Sequence, residues 1–139
     1  MKRRLAREYA FKLLYEAAVQ PDKDSAELIS DTAAEQEFEP DEYIEKVVGG
    51  VKENLSELDA LISDCTTTDW KFERLSLTSL SIMRLSIFEM LYLDDVPFPV
   101  SINEAVELAK KYDDDKAPKF INGILNAIAE KKGLKKKPR

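Results

Sequence analysis

The sequence contains no histidine, and its one cysteine is Cys65. Without imidazole there is no ready general base near neutral pH and no usual zinc ligand, and a lone thiol closes no disulfide within the chain. Glycine-rich phosphate loops and paired cysteine–histidine spacings are also missing, so no catalytic residue, metal or cofactor is assigned. No uninterrupted apolar run reaches the roughly 18 residues of a membrane span, and the basic start leads into a charged amphipathic segment rather than a signal-peptide core. The expectation is a cytoplasmic protein, neither exported nor membrane-embedded, that folds without metal or disulfide.

What is present is charge, unevenly placed. The 139 residues carry a net charge of -6. Within the first twelve, Lys2, Arg3, Arg4, Arg7 and Lys12 face only Glu8, leaving +4, and residues 131–139 add +6 with no acid. Residues 13–130 therefore hold -16. Such a body repels nucleic acid, so contact with a polyanion is confined to the basic ends and whatever the fold brings beside them. The plainer alternative is that both ends are solvated tails.

Only four glycines and six prolines interrupt the chain, mostly where helical periodicity stops, and the reading is all-α. A first helix over about 3–19 carries Ala6, Ala10, Leu13 and Ala17 on one stripe and closes at Pro21. A second starts at Asp24, with Glu27 completing a capping box. A third stretch runs from Pro40 and Asp41 through Ile62; Gly49 and Gly50 interrupt it, through weakness or close helix approach, and Ser56 with Asp59 marks a possible restart. "CTTTDW" reads as a linker in which Asp69 caps the succeeding segment. Residues 75–93 are apolar on nearly every face, which makes a central buried helix whose charges are Arg84 and Glu89. "VPFPV" is expected to be non-helical, with Ser101 and Glu104 capping the next helix and residues 120–133 forming the last.

Three features bear on chemistry. Asp113, Asp114 and Asp115 lack the calcium-loop glycine and glutamate and read as a helix cap. Arg84, set among apolar residues, needs a partner; Glu104 or Glu107 is one option, and an exposed groove is the other. With Ala6 at zero and about 100° per residue, Arg7, Phe11, Arg4 and Tyr15 fall at about 100°, 140°, 160° and 180°. Cations alternating with rings on one face suit single-stranded RNA, because phosphates attract guanidinium groups and bases stack on planar groups. For Phe11 and Tyr15 core packing is the stronger reading. Trp70 and Cys65 read as core or core-edge residues.

"RLAREYAFKLLYE", "SIMRLSIFEML", "SINEAVELAKKY" and "KFINGIL", in that order, resemble the NusB family of bacterial transcription antitermination factors along nearly the whole chain. The resemblance implies a fold of two packed three-helix bundles in one domain (about 1–66 and 70–133, then a basic tail over 134–139). It also implies a non-enzymatic role: binding the boxA element of ribosomal RNA leader transcripts jointly with the ribosomal protein NusE, and reaching the RNA polymerase elongation complex through other Nus factors. Carried over by position, RNA contacts fall on Lys2, Arg3, Arg4, Arg7, Tyr15, Lys116, Lys119 and Phe120. The NusE surface falls on Glu73, Arg74, Leu77, Ser79 and Leu80. Ser79 stands where many relatives carry an acid, and Lys116 where an acidic or neutral polar residue is common. Two other readings stand beside this one: a helical adaptor whose basic helix docks an acidic protein, and an accessory domain of an RNA-modifying enzyme, which the length of the chain disfavours. Whether the protein is a monomer or a homodimer is left open.

Overall fold

A computed structural model describes residues 1–66 and 71–136. They form seven α-helices: α1 (Arg3–Val19), α2 (Ser25–Gln36), α3 (Glu42–Glu53), α4 (Leu55–Cys65), α5 (Leu77–Tyr92), α6 (Phe98–Tyr112) and α7 (Ala117–Lys131). Short 3-10 turns cover Phe72–Arg74 and Leu134–Lys136, and no strand occurs among the described residues. The all-α expectation is met. No helix among these residues is long and apolar enough to cross a membrane. The expected cap at Asp69 and the placement of Trp70 lie outside the described residues.

α5 organises the packing because it has no polar face. All residues from Ser79 to Met90 are buried, and α1, α3, α4, α6 and α7 all pack on this helix. One continuous apolar core results, running from Ala6 on α1 to Ala129 on α7. α1 lies between α3 and α5 and contacts α2 as well, so its buried arc is wider than the single expected stripe. Arg7, Phe11 and Leu14 join Ala6, Ala10 and Leu13 inside, whereas Ala17 is only half-buried.

Caps explain most boundaries. The Asp24 carboxylate accepts the N–H groups of Ala26 and Glu27, and Asp41 accepts that of Ile44, so both helices start where a short acid satisfies open donors. Between α3 and α4 the break falls at Asn54, earlier than Ser56, and the Asn54 side chain donates back to the Gly50 carbonyl. Gly50 marks close helix approach: a Cβ there would lie 2.3 Å from the Phe88 ring. No atom lies within 4 Å of a Cβ built at Gly49.

Two expectations are corrected at the start of α6. "VPFPV" is not excluded from the helix, because α6 begins at Phe98 with Pro97 as its N-cap residue and Pro99 in the first turn. A first-turn proline lacks only an N–H that would have no intrahelical partner, and its fixed φ suits the helix. Ser101 and Glu104 consequently lie inside α6, both buried, and form no capping box. At α7 the N-cap residue is Lys116, which makes no side-chain cap, and Asp114 just ahead of it accepts the N–H groups of Lys116 and Ala117. Arg84 has a structural partner, but it is Asp59 on α4, joined through two hydrogen bonds of 2.7 and 2.9 Å.

Candidate nucleic-acid interface

The basic opening of α1 runs alongside α6 and the turn before it. Arg3 meets Asp95 at 3.4 Å, Arg4 meets Glu104, and Glu8 accepts hydrogen bonds from Lys111 (2.8 Å) and Tyr112. The numbering rises on both sides, so the two segments run parallel with long side chains bridging the seam.

Arg7 overturns part of the sequence reading. Its side chain is 5% exposed, with Nε donating to Glu89 Oε2 at 2.9 Å and Nη1 to Glu104 Oε1 at 3.2 Å. Glu89, itself fully buried, also accepts the Tyr43 hydroxyl at 2.5 Å and the Ser101 hydroxyl at 2.7 Å. This network joins α1, α3, α5 and α6 in the interior, where an unpaired charge would be very costly. Arg7 is therefore held as a structural residue, its guanidinium turned inward onto two carboxylates. Glu89 is the signal the sequence reading missed: it is an acid in an otherwise apolar helix and needs a cation as much as Arg84 needs an anion. Phe11 is also inside, its ring centroid 5.1 Å from that of Tyr112, in line with the packing reading.

Arg4 stays at the surface. Its side chain is 75% exposed while Nε and Nη2 hold the two Glu104 oxygens at 3.0 and 2.6 Å. That fork uses two of five guanidinium N–H donors, so the outer edge remains available. Arg3 lies over the Tyr43 ring, 4.4 Å from its centroid, and Lys2 is exposed with no ion pair to any described residue. Lys2 makes no side-chain cap, and the first turn of α1 contains no acid. Open N–H groups and the positive end of the helix dipole thus coincide with three exposed cations, a combination that attracts anions.

The end of α6 continues this surface. Tyr112 lies beneath two lysines, with Lys12 Nζ 5.7 Å and Lys111 Nζ 5.3 Å from its ring centroid. From there the chain passes through 113–116 into α7, where Lys116 and Lys119 are exposed and pair with no described acid. Phe120 is half-buried against the core. Tyr15 is 38% exposed and lines a cleft with Lys12, Glu16, Lys23 and Thr78. Of the RNA-contact candidates, Lys2, Arg3, Arg4, Tyr15, Lys116 and Lys119 are exposed, Phe120 is partly so, and Arg7 is withdrawn.

Electrostatics at the seam follow from these pairs. The hydrogen bond from Arg4 is the main reason the Glu104 carboxyl lies below the usual range; burial opposes it, and the Arg7 charge reinforces it. Burial would raise Glu8, but the hydrogen bonds from Lys111 and Tyr112 outweigh it and bring it below the usual range. Burial, followed by the charge and hydrogen bond of Glu89, pushes the Tyr43 phenol well above its ordinary value.

Among the partner-contact candidates, Glu73 and Arg74 are exposed in the 3-10 turn and Leu77 is half-buried. Ser79 and Leu80 are buried. Ser79 is 1% exposed and donates to Asp113 at 2.5 Å, and Leu80 faces the core; both point inward because α5 is buried all round.

Comparison with known proteins gives a consistent answer. The profile of the NusB family matches residues 4–130. The transcription antitermination protein NusB of Listeria monocytogenes serotype 4a (strain HCC23) is 46% identical over 131 residues, covering 93% of this chain and 97% of that protein. Among solved structures, T. maritima NusB superposes with a TM-score of 0.83 at 33% identity and 99% coverage of both chains. A chain from a crystal structure of antitermination factors NusB and NusE in complex with dsRNA matches with a TM-score of 0.79 at 29% identity, covering 94% of this chain and 99% of that one.

Proposed function

The chain belongs to the NusB family, and from that membership we propose that it is a transcription antitermination factor that binds RNA jointly with the ribosomal protein NusE. The observation that carries this reading is the outward set of Lys2, Arg3 and Arg4 at the uncapped start of α1. Lys116 and Lys119 follow on from Tyr112, which packs against the same helix. The RNA class is single-stranded boxA-like leader RNA, its phosphates on the cations and a base on Tyr15 or Phe120. The protein acts by binding, without catalysis. NusE is assigned the surface of Glu73, Arg74 and Leu77.

Three to five exposed cations give weak binding alone, so NusE supplies the remaining affinity by holding the same RNA on a second surface. Fluorescence anisotropy with labelled boxA-like RNA and a scrambled control, with and without NusE, tests this. The expected result is weak binding by this protein alone, clear tightening on boxA-like RNA with NusE, and a fall of about 0.7 log unit per log unit of salt for each phosphate neutralised. Equal affinity for both RNAs in both conditions defeats the reading. Tight capture of an acidic protein at α1 in place of RNA would favour the adaptor role instead.

A further inference from the structure

The proposed RNA surface is occupied from within by its own acids, and one of them cannot leave. Asp95, opposite Arg3, is 69% exposed on its side chain and free to rotate into solvent when a phosphate arrives. Glu104 differs: its side chain is 10% exposed, one oxygen is shared with the interior Arg7, and both oxygens hold Arg4. Arg7 is tied in turn to Glu89, which Tyr43 and Ser101 also hold. A carboxylate anchored this way stays beneath Arg4 in the RNA-bound state as in the free one.

We propose that Glu104 is a built-in counter-charge that sets the RNA affinity of this protein low, by neutralising Arg4 and repelling the phosphate that Arg4 contacts. The inference rests on the RNA-binding reading above. Glu104 touches no RNA; it acts through Arg4, whose guanidinium presents its outer edge while its charge is matched from behind. Forking by Glu104 also orders Arg4, and that contribution favours binding. Ordering one exposed arginine side chain is worth at most about a factor of ten. It is set against persistent repulsion and loss of one effective cation, and in Glu104→Gln an amide oxygen in place of Oε1 still accepts from Arg4 Nε and Arg7 Nη1, so much of the order is kept while the charge is removed. Two unit charges roughly 7 Å apart at an effective dielectric constant of about 40–80 interact enough to change affinity about three- to tenfold. The consequence for function is dependence on the protein partner: a site attenuated by its own acid holds RNA usefully only when NusE adds contacts.

Glu104→Gln tests this directly, because the amide oxygen still accepts from Arg7 while the charge is gone. Anisotropy with labelled boxA-like RNA, without NusE, should show about three- to tenfold tighter binding than wild type. The salt dependence should steepen by about 0.7 log unit per log unit, one additional phosphate's worth. Binding that is unchanged or weaker, with the helical circular dichroism intact, overturns the proposal and leaves the RNA-binding reading standing. Absence of RNA binding by wild type, with or without NusE, overturns both. Should Glu104→Gln fail to fold, Glu107→Gln decides. Glu107 is exposed one turn further along α6 and acts on Arg4 through space. Its removal should tighten binding in the same sense by about one and a half- to twofold, and equal or weaker affinity there overturns the proposal.

Discussion

Arg4 and Arg7 are three residues apart and have opposite roles, because one helical turn separates a surface facing α6 from the interior between α3 and α5. Arg7→Ala leaves Glu89 and Glu104 short of a cation inside the protein, and removing one partner of a buried pair costs about 3–5 kcal/mol. Urea unfolding should show that loss. Arg4→Ala should leave stability close to wild type, as an exposed pair contributes little, while weakening RNA binding and flattening its salt dependence. Equal stability of the two variants would contradict the burial of Arg7. That network and the separate Glu8 pair with Lys111 and Tyr112 shape the pH response. Glu104 and Glu8 have folded-state pKa values below the usual carboxylate range, so their contribution is complete above the unfolded value of about 4.3 and disappears as pH falls below it. Tyr43 is raised, so its contribution is complete below about pH 10 and declines as pH climbs above that. A thermal melt series should therefore be flat near neutrality and fall on both sides; a melting temperature that is constant from pH 7 to pH 3 would contradict the ion-pair assignments.

Helices show most plainly what the sequence conveys and what it hides. The limits of α1, the buried character of α5, the cap at Asp24 and the start of α3 beside Asp41 were legible because they rest on periodicity and on short acids beside open N–H groups. The start of α6 was not, because proline excludes a helix interior yet suits its first turn, and sequence alone does not say which position it will occupy. Arg7 was misplaced for a related reason: α1 packs on two sides, and the second side depends on a buried acid 82 residues away. The glycine pair allows a sharp test of packing. Gly49→Ala fills open space in a helix interior and should stabilise by about 0.5–1 kcal/mol. Gly50→Ala drives a methyl group into the buried Phe88 ring, which is stacked on Tyr92, and should destabilise by about 1–3 kcal/mol. Opposite signs from adjacent glycines are the expected result of denaturant unfolding; the same sign for both would mean that α3 and α5 do not approach as described.

For the molecule as a whole, folding turns a charge imbalance along the chain into a polarity in space. The acidic body keeps polyanions away from most of the surface, and the start of α1 with the entry to α7 is where one can approach. The salt dependence and the proposed Glu104 counter-charge both bear on that single region. It can be located by following backbone amide chemical shifts of the isotope-labelled 15.8 kDa protein while single-stranded boxA-like RNA is added at low salt. The largest changes should fall on residues 2–5, on Lys12 and Tyr15, and on residues 111–120, with smaller ones at Tyr43 beneath Arg3 and α4 unmoved. Shifts concentrated on α2, or spread evenly with no focus at the start of α1, would contradict the account.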